Sequence, residues 1–114
     1  MDSRWESARR ITLIRDGYKC LLCFEEATDV HHRRAKGMGG TSDPDVKYGL
    51  ANLISLCRFH HSWVHGHVKE SRQTGLIVPS WENPEDVPLT IKPGLFCAVL
   101  TKDGDMKVTS SVFF

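Results

Sequence analysis

"CRFHHSWVHGH", Cys57 to His67, places one cysteine and four histidines within eleven residues. Cys57 and His60 form a CxxH turn, while His61 and His65 stand four apart, the spacing that puts two side chains on one helix face. A helix is predicted over roughly 58–71, with Gly75 beyond it. The stretch therefore offers donors of two kinds, and the rest of the chain must supply their partners.

The first partner lies upstream. Cys20-Leu-Leu-Cys23 is a tight CxxC turn, separated from Cys57 by 33 residues. Zinc takes four soft or borderline ligands in a tetrahedron, and two such turns can each contribute two. Cys20, Cys23, Cys57 and His60 are the expected set; His61 could replace His60, but both cannot serve one site. A body of about 70 residues buries little apolar surface, so metal binding would help to specify its fold. A DNA-reading C2H2 finger is excluded, because it needs about 12 residues between its cysteines and histidines, and 37 lie between Cys23 and His61.

The second partner is "DVHHRRAKGMGG", Asp29 to Gly40. Thr28 to His32 is predicted as a short strand, on which His31 and His32 project to opposite sides. One imidazole can then join His61 and His65 at a metal while the other faces a water as a base; imidazole suits both tasks near neutral pH. Arg33 to Asp45, with Gly37, Gly39, Gly40 and Pro44, is expected to be loop. "LANLISL", Leu50 to Leu56, is the expected partner strand.

Before the CxxC turn, Ser3 and Glu6 fit a capping box, and Trp5, Ala8, Ile11 and Ile14 recur every three residues until Gly17. This predicts a helix over roughly 4–16. After Gly75 the chain becomes rich in proline and short β-type runs, and Leu95 to Phe114 reads as a hairpin turning on Asp103-Gly104. The predicted architecture is α+β: residues 1–72 as the functional body, and 73–114 as an antiparallel β appendage packed on it in one compact unit. Trp5, Trp63 and Trp81 are expected to be packing residues, Cys97 a buried thiol and His67 a surface residue.

The chain is 25% charged and 40% hydrophobic, as folded proteins are. Its net charge of +1 is uneven: 12 Lys/Arg against 9 Asp/Glu in residues 1–72, and 3 against 5 thereafter. A basic, histidine-rich body permits a nucleic-acid partner. No apolar run approaches the roughly 20 residues of a membrane span, and the N-terminus lacks a signal-peptide pattern. A cytoplasmic protein is expected, with its cysteines as ligands or buried thiols rather than disulfides.

The ordered motifs CxxC, VHH, GMGG, Asn52 within "LANL", CxxHH and HxxxH resemble HNH endonucleases of the ββα-metal type, over about residues 5–70. The paired histidines with a terminal HxxxH are similar to colicin nuclease domains, and the flanking cysteine turns to other HNH nucleases. "HHRRAKGMGG" and "GLIVPSWENPEDVPL" look like small phage-encoded HNH proteins found with terminase genes.

The resemblance implies cleavage of DNA phosphodiesters to 5′-phosphate and 3′-hydroxyl ends. His32 would be the general base. His31 and His61 would hold one catalytic divalent cation, with His65 as third ligand or phosphate contact. Asn52 would brace the loop that orients His32, and Arg33, Arg34 and Lys36 would contact phosphates. Many HNH enzymes carry aspartate where His31 stands; an all-imidazole set should favour Mn, Co, Ni or Zn over Mg. DNA, terminase or other packaging proteins are the implied partners, for a monomer or transient dimer. The rival functions are a zinc-stabilised nucleic-acid-binding module without chemistry and an interaction subunit of a packaging complex.

Overall fold

The computed structural model describes residues 3–35, 43–91 and 96–111. Among them are four α-helices and two small antiparallel sheets, an α+β arrangement. Helix α1 (Ser3–Arg15) ends where Gly17 and Tyr18 take positive φ values of 67° and 59°. Its inner face is Ala8, Thr12 and Leu13, with Trp5 half-buried, whereas Ile11 and Ile14 are exposed. The helix lies where the three-residue repeat predicts, but the repeat does not mark its buried face. Each residue of an α-helix advances 100°, so strict three-residue steps drift by about 60° and carry Ile14 off the side that Ala8 occupies.

Strand β1 (Asp29–His32) pairs antiparallel with β2 (Leu53–Leu56), His31 opposite Ile54 and His32 opposite Leu53. The intervening chain is not all loop. Asp43 accepts a hydrogen bond from the Asp45 amide and caps a short helix α2, Pro44–Tyr48, with proline at its first position. A 3-10 turn, Leu50–Asn52, then leads into β2, so the predicted strand begins three residues late. Arg15 pairs with Asp16 at 2.8 Å and donates to the carbonyls of Leu50 and Leu53, while Asp16 accepts from the Ser55 amide. These bonds tie α1 to β2.

Helix α3 (Arg58–Gly66) follows β2, capped by the Cys57 sulfur. The single helix expected over 58–71 is two: His67, at φ −133° and ψ 60°, interrupts it before α4 (Val68–Gln73). Gly75 turns at φ 78°, and a Cβ there would lie 2.1 Å from the Pro88 carbonyl oxygen, so no other residue fits.

The remaining strands β3 (Leu89–Ile91), β4 (Phe96–Leu100) and β5 (Met106–Ser111) form one antiparallel sheet in that order. The β4–β5 connection turns through Gly104 at φ 93°, at the predicted Asp103-Gly104. This sheet is more than an appendage. Leu76, Leu89, Ile91, Ala98 and Leu100 share one core with Leu21, Leu22, Ile54, Leu56 and Val64, so each half covers apolar surface the other would expose to water. Trp81, expected to pack, is 78% exposed. No helix is long and apolar enough to cross a membrane among the described residues.

Two candidate metal centres on one helix

The CxxC turn is shaped by its own backbone. The Phe24 amide donates to the Cys20 carbonyl and the Cys20 amide to the Glu25 carbonyl, with Phe24 at φ 62°. This curls the chain so that the Leu22 amide points at the Cys20 sulfur (3.4 Å) and the Glu25 amide at the Cys23 sulfur (3.5 Å). On the other side the His60 amide points at the Cys57 sulfur at 3.4 Å. Amides aimed at sulfur stabilise thiolates, the form that binds metal.

Cys20, Cys23, Cys57 and His60 sit close enough to hold a metal ion, with their donor atoms within 4.8 Å of one another. The Cys23 and Cys57 sulfurs are 3.9 Å apart, and His60 Nδ1 lies 3.3 Å from the Cys57 sulfur and 3.7 Å from that of Cys20. Tetrahedral metal–sulfur bonds of about 2.3 Å separate donors by about 3.8 Å, so the spacing fits one ion. Burial, together with the neighbouring Cys20, pushes the Cys23 thiol up to about 11, a proton that a bound cation would displace. Cys57 moves the other way: burial opposes its thiolate, but the His60 and Phe59 amides and the neighbouring sulfurs lower its pKa.

The second cluster uses the adjacent residue of α3. His31, His61 and His65 also bring one donor atom each within 4.8 Å. His31 is 2% exposed, and its ring meets those of His61 and His65 edge-on at 5.2 and 5.4 Å. Its Nε2 donates to the Leu76 carbonyl at 2.8 Å, which leaves Nδ1 as the donor to a metal. Burial and the neighbouring imidazoles hold its pKa down to about 4, so it is neutral, as a ligand must be. His61 Nδ1 donates to Asp29 at 2.8 Å, leaving Nε2 for the metal. Burial works against the Asp29 carboxylate, but hydrogen bonds from His61, Arg58 and Thr28 overcome it and bring its pKa to about 2.

His32 points away from that cluster. Its ring stacks on Trp5 with centroids 5.2 Å apart, and its Nε2 lies 3.1 Å from the Lys47 carbonyl oxygen. Donation there places the basic lone pair on Nδ1. Asn52 links the segments on both sides: its oxygen accepts from the Arg34 amide at 2.6 Å, and its nitrogen donates to the carbonyls of Arg34 and Val46. A cleft of about 380 Å³ next to Asn52 is lined by Arg34, Asp43, Trp81 and Glu85 but by none of the metal-cluster residues.

The loop cations do not act alike. Arg33, expected to contact phosphate, is 1% exposed. Its guanidinium donates to the carbonyls of Ala51, Gly75, Pro84 and Val87, and the Val78 amide donates to the Arg33 carbonyl. It is a brace that sews the C-terminal region onto β1, not a surface contact. Burial and the nearby Arg15 lower its pKa to about 10, which still leaves it charged at neutral pH. Arg34 is partly exposed and lies 3.4 Å from Asp43. Lys36 lies outside the described residues.

Two contributors were missed in the sequence. Asp29 carried a signal, an acidic residue two places before His31 and so on the same strand face. Leu76 carried none, since its carbonyl acts through the fold. Set beside protein-family models, curated proteins and solved structures, the chain finds no match in any of the three.

Proposed function

We propose that the protein is a metal-dependent endonuclease of the HNH type that hydrolyses DNA phosphodiester bonds to 5′-phosphate and 3′-hydroxyl ends. The observation that carries this reading is the division of labour between adjacent histidines. His31 turns into a three-imidazole cluster with His61 and His65, while His32 turns out beside the loop that Asn52 braces. A binding module needs no such arrangement. The order strand, strand, helix (β1, β2, α3), with the cysteine turns flanking it, supports the same reading.

The donor set suits the proposed cations. Three thiolates and an imidazole fit a structural zinc, and three imidazoles fit Mn, Co, Ni or Zn better than Mg. A divalent cation at the histidines supplies charge stabilisation as negative charge builds on phosphate and leaving oxygen. His31 and His61 are held in ligating orientation by Leu76 and Asp29, and His65, the most exposed of the three, leaves the cluster open to substrate. His32 takes the proton of the attacking water at Nδ1, its ring fixed by Trp5 and Lys47. Asn52 keeps the segment after His32 in place.

The test is a supercoiled-plasmid assay across Mn, Co, Ni, Zn and Mg, with His32→Ala beside the wild type. The expected result is cleavage with a transition metal, weaker with Mg, and a loss of at least about a hundredfold in the folded variant. No cleavage of single- or double-stranded DNA with any metal, or full activity in His32→Ala, overturns the proposal.

A further inference from the structure

With Arg33 buried and Arg34 beside Asp43, the loop after β1 offers little free positive charge among the described residues. A different cation stands next to the three-histidine cluster. Arg58 opens α3, and its side chain is 79% exposed. Its Nε lies 3.0 Å from Asp29 Oδ2 and 3.3 Å from Oδ1. The same Oδ2 receives the His61 Nδ1–H at 2.8 Å. One carboxylate oxygen therefore holds both a metal ligand and an arginine, whose nitrogens can be no more than about 6 Å apart.

This pairing does little for the fold. An exposed Arg–carboxylate pair contributes little stability, and Asp29 is already satisfied by His61 and Thr28. Its geometric effect is larger. With Nε on Asp29, the two terminal nitrogens of Arg58 make no hydrogen bond among the described residues, and the side chain is largely exposed. A planar fork of N–H donors matches two phosphate oxygens better than an ammonium does.

We infer that Arg58 binds a backbone phosphate of the DNA adjoining the one held at the histidine cluster, and that Asp29 is the positioning residue that fixes Arg58 and His61 together. This rests on the nuclease reading, and it names a substrate contact within it. Asp29 thereby sets the distance between the substrate grip and the cation.

The experiment measures binding apart from cleavage. Fluorescence anisotropy with a short labelled DNA duplex is followed against NaCl concentration in the His32→Ala background, with and without Arg58→Gln. The expected result is about tenfold weaker binding at low salt and a salt slope shallower by about 0.9, the loss of one phosphate contact. Arg58→Lys restores most of the slope, because it restores the charge. Asp29→Asn weakens Co2+ binding at the histidines by about 10- to 100-fold, while the thiolate absorption of Co2+ at the cysteine cluster stays as in the wild type. An unchanged slope and affinity in Arg58→Gln overturns the inference even where the wild type cleaves DNA. A changed slope in a protein that cleaves nothing supports the phosphate contact and rejects the nuclease. Unchanged Co2+ binding in Asp29→Asn removes the positioning role.

Discussion

His60 and His61 are neighbours on α3, yet they serve clusters of opposite character. The cysteine cluster draws four donors from two tight turns, each shaped by its own amide–sulfur bonds. The histidine cluster draws three donors from a strand and a helix, and their orientation comes from Asp29 and from the carbonyl of Leu76, 45 residues beyond His31. Four protein donors close a tetrahedron; three, one of them exposed, leave room for a further ligand. On the proposed reading, the first arrangement holds the fold together and the second serves the chemistry.

That contrast is testable first through stability. Stripping the cation from the cysteine cluster, or Cys57→Ser, should abolish cooperative melting followed by circular dichroism, since structural zinc contributes on the order of 10 kcal/mol. His61→Ala should leave the melt nearly in place. Equal effects of the two changes would erase the distinction.

The next effect is read in activity. His31→Ala and His61→Ala should each lower plasmid cleavage at least about a hundredfold, with the thiolate absorption of cobalt at the cysteine cluster retained. Loss of that absorption would mean the clusters stand or fall together.

A further change separates local from long-range support. Arg33→Met strips four carbonyls of their donor and should cost about 4 kcal/mol in urea denaturation. It should also weaken cobalt binding at the histidines more than at the cysteines, because Leu76 hangs on the segment that Arg33 secures.

The smallest effect is in acid. The unfolded His31 imidazole takes a proton near pH 6.5, whereas the folded one does so only near 4. Stability is therefore lost as pH falls through that window, by about 1.4 kcal/mol at about pH 5.5. His31→Gln should lack this component when the two proteins are compared by urea denaturation at about pH 7.5 and about pH 5.5.

Legibility in the sequence followed the same division. The cysteine cluster could be read because each of its halves is a pair three residues apart, a spacing that one turn of chain closes. The divergence of His31 and His32 could be read because strand side chains alternate. The helix at Pro44 had a signal too, an Asp-Pro start, but the surrounding glycines argued for loop. The break at His67 had a weak one, Gly66 just before it, at which α3 ends. Arg33 misled because arginine followed by arginine and lysine reads as surface charge; its burial depends on carbonyls 18 to 54 residues away.

By itself, then, the sequence determined the donor types, their local pairing and the alternation that sends two adjacent histidines apart, since these depend on chain geometry over a few residues. Only the tertiary structure decided which arginine faces solvent, which carboxylate orients His61 and which carbonyl locks His31. Those partners are distant in the chain, and only the shared core of the two halves brings them within hydrogen-bonding distance.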